Sequence, residues 1–259
     1  MIQLVLVGTG NLATHLFWAF QQSSVVQVVQ VVGRRRASLK SFATHTAVTT
    51  DHTQILPADV YVLAISDNAI ASVAASLPVS NAVVLHTSGS VPMEALVKHQ
   101  HRGVFYPLQT FSKNKRIDFS DVPLCLEASD KKTMQVLEKL AQSISQQHYL
   151  LNSTQRGALH TAAVFVCNFV NHLYQIGFEI TGENKLPFEL LLPLIKETAA
   201  KVATMTPFDA QTGPAKRNDT QTIDTHRNRL QEKHHKEIYN LLTHSIYRLH
   251  QEQLNNKLG

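Results

Sequence analysis

Ile2-Gln3-Leu4-Val5-Leu6-Val7 is a short, almost wholly apolar run, and Gly8-Thr9-Gly10-Asn11-Leu12-Ala13 follows it directly. A run without polar alternation suits a central parallel strand buried on both faces. The next six residues have the form G-x-G-x-x-A. In that form Gly8 permits a tight turn, Gly10 leaves the backbone open to close approach, and Ala13 lets a helix pack tightly on the strand. Leu12, Leu16 and Phe20 recur at helical spacing. A second apolar run, Val25 to Val32, then ends at Gly33, about 20 residues beyond Ala13. Strand, glycine turn, helix and strand in this order define a βαβ unit whose helix offers its N-terminus to an anion. The pattern is that of a dinucleotide diphosphate site, with Gly8, Thr9, Gly10, Asn11 and Leu12 as the expected contacts.

The end of the second strand indicates which dinucleotide. Gly33-Arg34-Arg35-Arg36 stands where an acid would accept from a ribose 2′-hydroxyl. The first 50 residues hold four Lys and Arg, all between Arg34 and Lys40, and no Asp or Glu. Guanidinium groups bind phosphate through bidentate, charge-assisted hydrogen bonds, whereas a carboxylate would repel it. The expected cofactor is NADP(H), with Gly33, Arg34 and Arg35 around its 2′-phosphate.

The doubly wound pattern continues. Ala47 to Thr50, Asp59 to Ile65, Ala82 to Leu85, Gly103 to Tyr106, Leu124 to Glu127 and His148 to Leu151 read as further strands, with a helix from Lys131 to Ile144. Ser66-Asp67 is expected to cap a helix running to Leu77. Ligands of an open parallel sheet bind beyond the carboxyl ends of its strands. That rule adds Ala64, Ile65, Ser66 and His86 to the cofactor contacts and brings His86-Thr87-Ser88-Gly89-Ser90 to the same crevice. Ser88 suits a substrate donor and an ordinary turn former equally. The loop Pro107 to Ser112, polar and aromatic, is a candidate substrate wall. The predicted fold is an α/β Rossmann domain over residues 1–151.

Asn152-Ser153-Thr154 has the form of a helix N-cap, and from there the period is helical, predicting an all-α domain over residues 152–259. No side chain between Arg156 and Glu179 is ionised at neutral pH, counting His as neutral. A helix so uncharged belongs in a core or a subunit interface, and the expected assembly is a homodimer joined through this half. At about 100° per residue, His160, Asn168, Asn171 and Gln175 fall within about 80° of one another. This polar stripe would either meet substrate or form a helix-to-helix network.

Charge and composition set the limits. Four of the 24 Lys and Arg lie in the Arg34 to Lys40 segment, and the rest are nearly matched by 19 Asp and Glu, so no broad basic face for nucleic acid is expected. Lys113-Asn114-Lys115-Arg116 is the other compact basic cluster and reads as a solvated loop. The apolar stretch Ala162 to Phe178 is interrupted by Asn168, Asn171 and His172, so no membrane span is expected. Two cysteines, Cys125 and Cys167, without paired spacing suggest reduced thiols in a cytoplasmic protein. The 14 His form no HExxH or mixed Cys and His spacing, so no metal is expected. His234, His235, His244 and His250 lie on a polar C-terminal helix and are expected to face solvent.

The segments Gly8 to Ala13, Asp59 to Asp67, His86 to Gly89, Phe105 to Ser112, His160 to Asn168 and Thr212 to Asp219 together resemble the Rossmann-like NADP oxidoreductases whose C-terminal half is a helical domain of unknown function. The N-terminal half is also similar to the coenzyme F420-dependent NADP oxidoreductase and pyrroline-5-carboxylate reductase group. The C-terminal half is similar to the helical domain of 6-phosphogluconate dehydrogenase-type enzymes. The resemblance implies hydride transfer between the nicotinamide and a small carbonyl, imine or hydroxy compound, or a deazaflavin. One departure is Tyr106-Pro107-Leu108, where the family loop has His-Pro-Leu. Related dehydrogenases often use a Lys on the first long interdomain helix, for which the nearest candidate here is His160. His160 and Ser88 are the candidate proton donors and Asn168 a polar anchor. The alternative is a non-catalytic NADP(H)-binding redox sensor.

Overall fold

The computed structural model describes residues 1–77, 81–113 and 115–258, with side chains described as far as residue 252. Asn114 of the basic loop lies outside the described residues. The chain divides into two compact units, Met1–Cys167 and Asn168–Gly259.

Among the described residues the first unit is built on eight strands: β1 (Ile2–Val7), β2 (Val26–Val32), β3 (Ala47–Thr49), β4 (Val60–Leu63), β5 (Val83–His86), β6 (Arg102–Pro107), β7 (Leu124–Ala128) and β8 (His148–Leu150). Their order across the sheet is β3-β2-β1-β4-β5-β6-β7-β8. Every pairing is parallel except β6 with β7, which is antiparallel. The order reverses beside β1, which places a crevice beyond the carboxyl ends of β1 and β4.

Alternation along β1 explains why its run is apolar throughout. Leu4 and Leu6 pack on one face with Leu16, Phe17 and Phe20 of helix α1 (Asn11–Gln21) and with Leu137 and Leu140 of the later helix Lys131–Gln142. Val5 and Val7 pack on the other with Tyr61, Leu63 and Ile70. Both faces are covered, so neither tolerates a polar residue.

The remaining helices of this unit are α2 (Arg36–Leu39), α3 (Ile70–Ser76), α4 (Lys131–Gln142) and α5 (Ser153–Ala163). A single 3₁₀ turn, Asp67–Ala69, precedes α3, and Ser66 makes no side-chain cap bond to it. The expected Ser66-Asp67 cap is therefore corrected: the Asp67 carboxylate accepts instead from the Ser90 hydroxyl, at 2.6 Å. Helix α5 begins with a full capping box, Asn152 with Gln155, as its sequence predicts.

That helix also corrects the boundary expected at residue 151, because α5 belongs to the sheet unit. Arg156, 1% exposed, pairs with Glu127 of β7 and donates to the Val91 carbonyl at 2.6 Å. Glu127 in turn accepts from the Ser153 backbone and hydroxyl. Removing one partner of such a buried pair costs about 3–5 kcal/mol, so the first turn of α5 is anchored to the sheet. Leu159 adds packing against Val104, Tyr106 and Cys125.

After α5 the backbone widens into a π-helix, Val164–Phe169. The second unit then contains α6 (Val170–Glu183), α7 (Leu192–Lys201), α8 (Pro207–Ala210), α9 (Pro214–Arg217), α10 (Thr220–Arg229) and α11 (Lys233–Leu258). Two histidines of α11 depart from the expected solvent exposure. His235 is buried with Nε2 3.1 Å from Glu179 of α6, and His250 is buried with its ring 4.2 Å from that of Phe208. Polar residues around them hid these contacts from a reading based on period alone.

Candidate functional site

A groove of about 500 Å³ lies beyond the carboxyl ends of β1, β2 and β4. Gly8, Thr9, Gly10, Asn11 and Leu12 line it, with Gly33, Arg34 and Arg35 at the end of β2 and Ala64, Ile65 and Ser66 at the end of β4. The two glycines of the turn serve different needs. Gly8 has φ +130, and any Cβ there would run into the Ala64 carbonyl oxygen. Gly10 has an ordinary φ of −76, and a Cβ there would meet nothing within 4 Å. Its missing side chain keeps open the space in front of the α1 N-terminus. That end carries no side-chain cap and no acid in its first turn, so its N–H groups remain available to an anion.

At the β2 end, a Cβ on Gly33 would fall 2.7 Å from the Thr9 methyl. The Thr9 hydroxyl donates to Ser38 at 3.0 Å, and Ser38 donates to the Arg35 carbonyl at 2.8 Å. This chain of bonds braces the arginine segment against the glycine turn. Arg34 and Arg35 are exposed, and neither pairs with an acid among the described residues. The donor set fits a dinucleotide.

Ser38 and His52, which the sequence did not single out, complete the rim with Thr87 of the turn after β5 and Lys113 of the loop expected to be solvated. Lys113 arrives from the loop after β6, which is strapped to α1. The Asn11 amide donates to the Phe111 carbonyl at 2.9 Å, and the His15 ring lies 3.0 Å from the Ser112 carbonyl. No local pattern signals a contact between residues 100 positions apart.

His86 does not line the groove, contrary to its expected place among the cofactor contacts; Thr87 does. His86 ends β5 fully buried, and its Nδ1 accepts from the Ser88 backbone at 3.2 Å. Burial, reinforced by the Arg156 charge, pushes its pKa down to about 4, which keeps the ring neutral near pH 7. Ser88 is also buried, and its hydroxyl accepts from the Ser90 and Val91 backbones at 3.1 and 3.0 Å. These bonds make Ser88 the keystone of the turn after β5.

That turn leads from the groove to a second polar group. Two residues past Thr87, a Cβ on Gly89 would lie 2.6 Å from His160 Nδ1 and 2.8 Å from Tyr106 Cζ. The Tyr106 hydroxyl is itself 3.0 Å from His160 Nδ1. Tyr106 is nearly buried at the end of β6, and burial pushes its hydroxyl up to about 12.

The π-helix turns by less than 100° per residue, so each residue after it lags behind the angle that a regular helix would give. Asn168 is exposed and sits within that segment, at the start of the second unit. Among the described residues no group of three or more His, Cys, Asp or Glu is arranged to hold a metal, and no helix is long and apolar enough to cross a membrane.

The model of a domain of unknown function, DUF2520, matches residues 122–246. A crystal structure described as a "putative NADP oxidoreductase" from Bacteroides fragilis is 38% identical, with a TM-score of 0.89 over 95% of this chain and 98% of that one. A protein from Thermotoga maritima is 24% identical, with a TM-score of 0.74 over 96% and 99%. A 1-pyrroline-5-carboxylate reductase from Streptococcus pyogenes shares the fold at 13% identity, with a TM-score of 0.62 over 95% and 98%. No curated protein matches.

Proposed function

Because the chain belongs to the family of Rossmann-like NAD(P)-binding proteins with a C-terminal DUF2520 helical domain, we propose that it is an NADP(H)-dependent oxidoreductase acting on a small carbonyl, imine or hydroxy compound. The observation that carries the reading is the pairing of an open helix N-terminus at Gly10 with the acid-free Arg34 and Arg35 rim of the same groove. The first feature suits a diphosphate and the second a 2′-phosphate.

When bound, the reduced cofactor supplies a hydride from its nicotinamide ring. Gly8 to Leu12 hold the diphosphate on the α1 N-terminus. Arg34 and Arg35 hold the 2′-phosphate, and Ala64 to Ser66 form the wall toward β5. In this reading His160 protonates the oxyanion or amide that develops as the substrate accepts hydride. Ser88 keeps the intervening turn in shape.

The protein also acts as a homodimer in this reading. The described side chains of α6 and α7 include no buried residue, while Phe178, Leu194, Val202 and Leu241 are each more than half exposed. Large apolar side chains exposed across several helices are what an interface between identical copies buries.

The test is a screen of NADPH oxidation by the purified protein across small keto acids, aldehydes, cyclic imines and an oxidised deazaflavin. At least one should accelerate oxidation. Tight NADPH binding with no acceleration by any of them would favour the sensor.

A further inference from the structure

His160 is partly exposed, and its Nε2 makes no hydrogen bond to a described residue. Its Nδ1 faces inward, toward Tyr106 and the place a Gly89 side chain would fill. The two aromatic rings meet edge to face, with centroids 5.9 Å apart and planes at 72°. Gly89 therefore allows three chain segments, from β5, β6 and α5, to converge within van der Waals distance. Gly89, against which the pair packs, lies two residues beyond Thr87 of the cofactor groove.

We propose that Tyr106 is a positioning residue for His160, holding the imidazole so that Nε2 alone faces the crevice and tying the neutral ring to its Nε2–H tautomer. The inference rests on the oxidoreductase reading for its role in turnover, but the tautomer itself does not depend on that reading. The hydroxyl has no other partner among the described residues. If Nδ1 carried the proton of a neutral ring, the Tyr106 proton would be left buried without an acceptor among the described residues. With Nδ1 as acceptor, both groups are satisfied. Burial keeps the hydroxyl protonated throughout the range in which an imidazole titrates.

In reduction the balance is simple. The substrate carbon takes the hydride with its two electrons, and the carbonyl oxygen or imine nitrogen takes the Nε2 proton of a protonated ring. The ring is left neutral with its proton on Nδ1, and it takes a new proton at Nε2 from solvent; loss of the Nδ1 proton then restores the resting Nε2–H tautomer. Tyr106 accepts from Nδ1–H of the charged and the newly discharged ring and donates to Nδ1 of the resting one, so the orientation persists through the cycle. The ionised groups behind the pair are Arg156, one turn earlier on α5, with its partner Glu127, and Asp67, held by Ser90. None of these contacts the imidazole nitrogens in the described bonds.

The experiment is long-range ¹H–¹⁵N NMR of the full chain labelled at histidine, at alkaline pH and without cofactor, with His160 assigned by its loss in His160→Gln. Nδ1 should show an acceptor-type shift and Nε2 a protonated one. Tyr106→Phe should convert His160 to a tautomer mixture, and Gly89→Ala, which crowds both rings, should do likewise with Tyr106 retained. With an active substrate, Tyr106→Phe should lower kcat about tenfold while leaving the NADPH Kd and the substrate KM within about twofold. An Nδ1–H tautomer in the unmodified protein, or an unchanged tautomer in Tyr106→Phe, would overturn the proposal. Failure of every substrate in the screen would overturn the oxidoreductase reading and leave the NMR result standing.

Discussion

The Asn11 side-chain amide donates to the Phe111 carbonyl at 2.9 Å, joining the glycine turn to the loop after β6. The bond orients Asn11 toward protein rather than ligand, and with the His15 contact to Ser112 it brings Lys113 to the groove rim. Lys113→Met should weaken NADPH and NADH binding alike, by about fivefold, as expected for an exposed ammonium worth about 1 kcal/mol against phosphate. Calorimetric titration at two salt concentrations checks this. Equal affinity of the variant and the parent at low salt would remove Lys113 from the site.

The arginine rim makes a sharper demand. NADPH should bind at least about tenfold more tightly than NADH, or about 1.4 kcal/mol, and Arg34→Ala with Arg35→Ala should erase most of that difference. Fluorescence titration with both cofactors decides the matter. Equal affinities in the unmodified protein would contradict the 2′-phosphate assignment.

Gly10→Val separates folding from binding. A Cβ at Gly10 meets nothing within 4 Å, and its φ of −76 is open to any residue. The fold should survive while a branched side chain enters the diphosphate space, so NADPH binding should be lost with little change in Tm. Normal binding by this variant would mean that the turn has been misassigned.

His86 should leave a mark on acid stability. Burial depresses its pKa from 6.5 to about 4 in the folded chain, so below about 6.5 the unfolded chain takes up a proton that the folded chain does not. Stability from this residue is complete above pH 6.5 and is lost as pH falls toward 4, up to about 3 kcal/mol. His86→Asn, whose amide oxygen can still accept from the Ser88 backbone, should flatten that slope. Urea unfolding between pH 4 and 7 measures it, and parallel slopes in the two proteins would refute the assignment.

Light scattering tests the proposed dimer. The purified chain at micromolar concentration should show about twice its 28.9 kDa mass. Replacing Leu194 and Leu241, exposed by 63% and 70%, with Glu should shift it toward a single copy. A single-chain mass in the unmodified protein would contradict the assembly.

All eight strands were legible in the sequence, as were the glycine turn, the basic end of β2 and the Asn152 cap. Each is a local pattern: an apolar run bounded by turn residues, a glycine where a side chain would clash, or a side chain within reach of its own backbone. Tertiary structure decided what depends on distant segments meeting. Nothing within a few residues of Arg156 announces Glu127, yet that pair anchors α5 to the sheet and places His160 against Tyr106. Burial drew His86 into the fabric of the turn after β5, where the Ser88 hydroxyl also accepts from two backbone N–H groups. The π-helix at Val164 shifts every later residue from the angle that a regular helix would give it, because angular position along a helix accumulates every departure from the regular period.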